Sequence, residues 1–136
     1  KYPNFSFTKG TLENEKILKK TFKRFKPKIV IHLAAQAGVR YSIDDPFAYV
    51  DSNLVGFVNI LEGCRHSNIK HHIFASSSSV YGDEKPFPKS EKSEVNPINL
   101  YSLSKFSNEL YAKSLSKTMT ANIIGLRFFG LLIVDL

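Results

Sequence analysis

Apolar positions along the chain change period several times, and each change marks an element. Ile17, Leu18, Phe22 and Phe25 recur at helical spacing among lysines, and Pro27 closes the run. This predicts a helix to about Phe25, capped by Thr11 or Asn14. Lys28 to Leu33 (KIVIHL) is almost continuously apolar, the pattern of a strand buried on both faces. Residues 34–44 read as a loop. Asp44 or Asp45 is placed to cap a second helix, with Pro46 in its first turn. That helix carries Tyr49, Val50, Leu54, Phe57, Val58 and Leu61 on its inner side and ends near His66. His71 to Ala75 (HHIFA) is the next strand, followed by a long loop of Ser, Pro and Lys from Ser76 to Leu100. Tyr101 to Lys117 forms the last helix and Asn122 to Phe128 the last strand. Ahead of all of these, Phe5 to Thr8 is a short strand candidate.

Strands alternating with helices predict an α/β fold with a parallel sheet and flanking helices. Ligands on such sheets bind beyond the carboxyl ends of the strands. The loops that matter therefore start after Leu33, Ala75 and Phe128.

A length of 136 residues allows one domain at most. The net charge of +7 is concentrated in Lys16, Lys19, Lys20, Lys23, Arg24, Lys26 and Lys28. Interleaved with apolar residues at helical spacing, these read as the solvated face of an amphipathic helix. No reader motif or zinc spacing accompanies them, which argues against nucleic acid as a partner. The longest apolar run considered as a membrane span, Leu131 to Val134, is far too short, so no membrane partner is expected. Cys64 stands alone and cannot form an internal disulfide, which fits a cytoplasmic protein. His66, His71 and His72 lack acids or cysteines at ligand spacing, so no metal is expected.

Tyr101 and Lys105 lie four apart at the start of a helix and share a face. A free tyrosine titrates at about 10, and a neighbouring ammonium favours the phenolate. A phenol tuned in this way can take a proton from a ligand hydroxyl or return it. Ser77, just past a predicted strand and 24 residues before Tyr101, can hold the same substrate oxygen.

The segments HLAAQAGVRYS (His32 to Ser42), Asn53 with Gly56, ASSSSVYG (Ala75 to Gly82), YSLSK (Tyr101 to Lys105) and GLRFF (Gly125 to Phe129) follow one another in a familiar order. In order and spacing they resemble the extended short-chain dehydrogenases of the NAD-dependent epimerase/dehydratase family. AAQAGVRYS together with SSSSVYG most resembles the UDP-glucuronate 4-epimerases. The resemblance implies a Rossmann-like, doubly wound domain, NAD as cofactor, a UDP-sugar substrate and a homodimer of the full-length protein. It further implies a cytoplasmic enzyme of carbohydrate metabolism and polysaccharide biosynthesis. By the resemblance, Tyr101 is the catalytic base, Lys105 its partner and a holder of the nicotinamide ribose, and Ser77 the third catalytic residue. Ala34, Ala35 and Gln36 lie beneath the cofactor, Asn53 sits on a helix that approaches it, and Phe128 stands near the nicotinamide. Arg40 is the candidate for the uronate carboxylate or a phosphate. Ser77, Ser78 and Ser79 line the substrate side, and Ser78 and Ser79 stand where eliminating relatives carry acids. The implied reaction removes hydride from sugar C4 to NAD+ and returns it to the other face of the 4-keto sugar. UDP-glucose 4-epimerase or a nucleotide-sugar dehydratase is the nearest alternative.

The chain also departs from that pattern. No G-x-x-G-x-x-G occurs in it. Thr11 replaces an aspartate that faces adenine, Gly130 replaces an Asn or Thr, and the LLIVDL segment does not match the family. The chain thus reads as residues 1–136 of a partial Rossmann domain, without the glycine-rich first unit or the substrate domain. The pattern is expected of a fragment cut at both ends, or of a decayed or misread copy. A non-catalytic remnant and an RNA-associated family member are the readings from other classes. The first two strands of the doubly wound order are missing, so the expected sheet has three parallel strands, Lys28–Leu33, His71–Ala75 and Asn122–Phe128, with Phe5–Thr8 displaced from it. The fragment alone is expected to bind NAD+ weakly or not at all.

Overall fold

Three parallel strands, β1 (Ile29–His32), β2 (His71–Ser77) and β3 (Asn122–Phe128), lie side by side in the order β1-β2-β3. The register runs Ile29–His71–Asn122 at one end to Ser77–Phe128 at the other. This computed structural model describes residues 3–83, 85 and 87–129. The expectations for Gly130 and for residues 131–136 lie outside the described residues. The three-stranded parallel order is the one expected from the sequence. β2 runs two residues beyond the predicted end because Ser76 and Ser77 pair with Arg127 and Phe128. Phe5 to Thr8 is not a strand: the segment is irregular, and Phe5 and Phe7 are exposed. An extended segment without a neighbour gains no ladder hydrogen bonds.

Helix α1 (Glu15–Phe25) starts where the Asn14 side chain accepts the Ile17 N–H at 3.1 Å and ends at Lys26 with φ 45°. Its lysines are exposed, and Phe22 is buried between Ile60, Cys64, Ile69 and Ala121. Phe25, expected inside, is exposed and lies under the Arg24 guanidinium, 4.9 Å from the ring centroid.

The second helix is broken into segments. Helix α2 (Tyr41–Asp44) occupies part of the predicted loop, and α3 (Pro46–Tyr49) begins where Asp45 accepts the Ala48 N–H at 3.1 Å. A π-helical stretch, Val50–Val55, then leads into α4 (Gly56–Arg65). The wider π turn shifts the phase of the inner face. Tyr49, Asn53 and Phe57 are therefore buried, whereas Val50, expected inside, is exposed. After β2, a 3-10 turn spans Ser78–Tyr81. Helix α5 (Leu100–Ser116) opens with a capping box between Asn99 and Ser102.

Alternate residues of a strand face opposite sides of the sheet. On one side Phe74 and Ile123 pack with Phe57 and Leu61 of α4 and Ala112 and Leu115 of α5. His32 and His72 lie on this side too, their rings 5.6 and 6.0 Å from that of Phe57. On the other side Ile29, Ile31, Ile124, Leu126 and Phe128 are exposed, as is Leu33 just past β1. This corrects the expectation that Lys28–Leu33 is buried on both faces. An apolar run reports what a strand can bury, and here no described element covers the second face.

Candidate functional site

The carboxyl ends of β1 and β2 meet the first turns of α5, and the predicted residues gather there by element. Ser77 is the last residue of β2. Its Oγ accepts from the Ser79 N–H at 3.2 Å and from the Ser79 hydroxyl at 2.7 Å, which winds the chain into the 3-10 turn. Ser78 and Ser79 are half-buried in that turn. Tyr101 and Lys105 follow from the capping box at Asn99, which fixes where α5 begins and so which face both side chains share.

Lys105 is 4% exposed, and its Nζ donates to the Ala75 carbonyl at 2.8 Å. Burial pushes its ammonium down to about 8. The Nζ lies 6.0 Å from the centroid of the Tyr101 ring. Tyr101 is half-buried, and the Tyr49 ring meets it edge-on at 6.3 Å. A partly desolvated cation thus sits beside a phenol with solvent access, an arrangement suited to moving a proton to or from a ligand hydroxyl.

The loop after β1 is held to this corner by side chains from the broken helix. Asn53, 1% exposed, accepts the Gln36 N–H at 2.8 Å and donates from Nδ2 to the Gln36 carbonyl at 3.0 Å. The same Nδ2 lies 3.0 Å from Ser104 Oγ, and the Ser104 hydroxyl donates to the Tyr101 carbonyl at 2.7 Å. The Tyr49 hydroxyl donates to the carbonyls of Ala37, at 2.9 Å, and Gly38. Asn53 therefore spends its amide on protein groups. Ala34 is exposed, and Ala35 and Gln36 are half-buried. Arg40 is exposed at the start of α2. Phe128 is half-exposed on the uncovered face of the sheet.

Tyr49, Ser104 and the cluster around Glu109 were not singled out from the sequence. Glu109 accepts two hydrogen bonds from the Arg127 guanidinium, at 2.9 and 2.6 Å, and one from the Ser76 hydroxyl at 2.5 Å. The Arg127 guanidinium also lies 4.8 Å from the Tyr81 ring centroid. These contacts tie α5, β2, β3 and the 3-10 turn together. Ser104 and Arg127 fall inside YSLSK and GLRFF, so those two motifs held the available signal. A cavity of about 870 Å³ opens between β3 and α5, lined in part by Tyr81, Glu109, Arg127 and Phe129. It is not the site just described, since Ser77, Tyr101 and Lys105 do not line it. Among the described residues, no cluster of His, Cys, Asp and Glu could hold a metal ion, and no helix is long and apolar enough to cross a membrane.

A family model described as the NAD dependent epimerase/dehydratase family matches residues 1–132. Protein CapI of Staphylococcus aureus is 52% identical over 128 residues, which cover 93% of this chain and 38% of that protein. UDP-glucuronate 4-epimerase 3 of Arabidopsis thaliana is 43% identical over 122 residues, covering 88% of this chain and 28% of that one. Among solved structures, the UDP-glucose 4-epimerase of Brucella ovis in complex with NAD superposes with a TM-score of 0.87 at 31% identity, covering 92% of this chain and 38% of that one. The chain thus spans well under half the length of the proteins it matches.

Proposed function

Since the chain belongs to the NAD dependent epimerase/dehydratase family, we propose that it carries the proton-transfer half of a nucleotide-sugar 4-epimerase acting on UDP-glucuronate. The observation that carries this reading is the pairing of Tyr101 with the buried Lys105, its ammonium pushed down to about 8 by burial, at the carboxyl end of β2. In this reading Tyr101 takes the proton of the sugar 4-hydroxyl and later returns it. Lys105, held by the Ala75 carbonyl, keeps its Nζ beside the Tyr101 ring. Ser77 donates its hydroxyl proton to the same sugar oxygen, while its Oγ keeps accepting from Ser79.

The residues present fit part of the NAD that the family uses. The loop at Gln36, pinned by Asn53, and the Tyr101–Lys105 corner suit the ribose and nicotinamide end. The chain has no glycine-rich turn opening onto a helix N-terminus, which is what seats a pyrophosphate. When bound, the cofactor supplies a reversible acceptor for hydride. The chain's own residues bind, orient and move the proton.

The choice of UDP-glucuronate rests on the relatives named for it, on AAQAGVRYS with the exposed Arg40, and on Ser78 and Ser79 in place of acids. Among the described residues no carboxylate pairs with Arg40, and a guanidinium so placed suits a uronate. The UDP-glucose epimerase reading is favoured instead by the structural likeness to the Brucella protein. The buried, unpaired Cys64 thiol, pushed up to about 12 by burial, suits a reducing cytoplasm.

The test is a chimera in which this chain replaces the 128 residues it matches in the Staphylococcus aureus relative. The chimera is expected to interconvert UDP-glucuronate and UDP-galacturonate, and Tyr101→Phe to slow it by roughly 10²- to 10⁴-fold while NAD+ binding persists. Turnover within a few-fold of the parent removes Tyr101 from the mechanism. Preference for UDP-glucose replaces the substrate.

A further inference from the structure

The cations of residues 16–28 take no part in the proposed chemistry, and they divide between two surfaces. All of them are exposed. Lys19, Lys23, Lys26 and Lys28 line a cavity of about 540 Å³ between α1 and α4, whereas Lys16, Lys20 and Arg24 do not. That volume is in the range of small-ligand pockets. The walls are fixed by packing. Phe22 of α1 is buried against Ile60 and Cys64 of α4. Gly63 lets the two helices approach, since a Cβ there would collide with the Phe22 ring. The Lys28 carbonyl accepts the Lys70 N–H at 2.7 Å, which ties the chain after α1 to the segment after α4.

The helix dipole accounts for Lys23 and Arg24 in the last turn of α1. It does not account for Lys26 and Lys28, which lie past the end of the helix and still line the cavity. Lys26 stands in the left-handed conformation, φ 45°, where glycine is the usual residue at a helix end. The acids of the cavity already have partners. Glu15 pairs with Lys19 at 2.5 Å, and Glu62 accepts from Arg65 at 2.8 and 2.6 Å. Among the described residues no carboxylate pairs with Lys23, Lys26 or Lys28. Three ammonium groups on one cavity repel one another, and an anion held among them removes that repulsion.

We propose that the cavity between α1 and α4 is a binding site for a small anion carrying two or more phosphate groups. Ammonium groups are point charges with three donors each, which suits phosphate oxygens approached from several sides. Lys28 precedes β1 and Lys70 precedes β2, so the cavity lies at the amino ends of the strands. Ser77 lies at the carboxyl end of β2, and neither it nor Tyr101 nor Lys105 lines the cavity. It is therefore a second site, separate from the corner that moves the proton, and its occupancy is independent of the epimerase reading.

The test titrates the chain with inorganic pyrophosphate by calorimetry in about 50 mM salt, where surface charges are only partly screened. Saturable 1:1 binding is expected. The double variant Lys23→Gln, Lys26→Gln should weaken it by about tenfold or more. Lys16→Gln with Lys20→Gln removes the same charge from the same helix away from the cavity, and should change binding by no more than about twofold. The far-ultraviolet circular dichroism of both variants should match the parent. Absence of saturable binding overturns the proposal. Equal weakening by the two pairs also overturns it, since the attraction would then belong to the whole basic helix. Vesicles of phosphatidylcholine with cardiolipin distinguish the source of the phosphate. Co-sedimentation that pyrophosphate competes away, and that the Lys23 and Lys26 variant loses, places it on a lipid headgroup. Pyrophosphate binding without co-sedimentation places it on a soluble ligand. Co-sedimentation that survives in that variant, with no pyrophosphate binding, overturns the cavity as the site.

Discussion

Asn53 grips Gln36 by both backbone groups, its Oδ1 accepting the N–H at 2.8 Å and its Nδ2 donating to the carbonyl at 3.0 Å. The two residues are 17 apart, so this pair fixes the loop after β1 to the π-helical stretch much as a ladder pair fixes two strands. Through Ser104 it also reaches the turn of α5 that carries Tyr101. Asn53→Ala leaves the half-buried N–H and carbonyl of Gln36 without these partners. We expect a loss of about 2–4 kcal/mol in urea unfolding and faster hydrogen exchange at the Gln36 amide. Unchanged protection at Gln36 would show that the loop is held by other means.

The fold was legible where a signal is local. The strand Asn122–Phe128 has the bounds that its pattern predicts. Asn14 and Asp45 were readable as caps because a cap acts over three residues. The Tyr101–Lys105 pairing needs only helical spacing. What escaped is what depends on contacts far apart in sequence: the Tyr49 hydroxyl on Ala37, Asn53 on Gln36, and Glu109 on Arg127. The open face of β1 escaped for a further reason. A run such as KIVIHL is the same string whether or not an element lies over it.

His72 is fully buried, and among the described residues neither ring nitrogen has a hydrogen-bond partner. Its neighbours are the rings of Phe57, Phe74 and His32. Such a group costs roughly 1–3 kcal/mol of desolvation, which an apolar side chain of similar volume avoids. His72→Leu is therefore expected to leave stability at pH 7 unchanged or raise it by about 1 kcal/mol. A loss above about 2 kcal/mol would point to a hydrogen bond that the ring makes in solution.

The same burial makes the fold acid-sensitive. Both His32 and His72 are pushed down to about 4, His72 by burial and His32 by burial together with the charges of His72 and Lys105. Unfolded histidines titrate near 6.5. Between those values the unfolded chain binds more protons than the folded one, so stability falls as pH drops from about 6.5 towards 4. Each ring contributes on the order of 3 kcal/mol to that fall. Urea midpoints measured from pH 7 to 4.5 should drop steeply in the parent and less in His72→Leu. Parallel curves for the two would remove His72 as a cause.

Lys105 gives the opposite end of the pH range. Its folded value of about 8 lies below the ordinary lysine value of 10.5, because burial disfavours the ammonium. Above pH 8 the folded chain releases this proton first and the unfolded chain still holds it, so stability rises with pH between about 8 and 10.5. The gain has an upper size of roughly 3 kcal/mol. Lys105→Met removes the titration and the hydrogen bond to Ala75 together, so the difference in stability between mutant and parent should shift towards the parent across that window. A difference that stays constant from pH 7.5 to 10 would mean that Lys105 is solvated in the folded state.

Glu109 and Arg127 hold the far side of the corner. Their side chains are 17% and 21% exposed, and the paired hydrogen bonds hold the guanidinium well above its usual range. Because Glu109 also accepts from Ser76, it joins α5 to β2 one residue before Ser77. Arg127→Lys keeps the charge but loses the planar fork that meets both carboxylate oxygens. The expected cost is about 1–2 kcal/mol, since one of two charge-assisted bonds remains available. Glu109→Ala strands a half-buried guanidinium and the Ser76 hydroxyl at once, and should cost about 3–5 kcal/mol. A double-mutant cycle between the two positions in urea unfolding checks the pair directly. Additive losses would mean that the bidentate contact contributes little, and that the Tyr81 ring, 4.8 Å from the guanidinium, is what holds Arg127 in place.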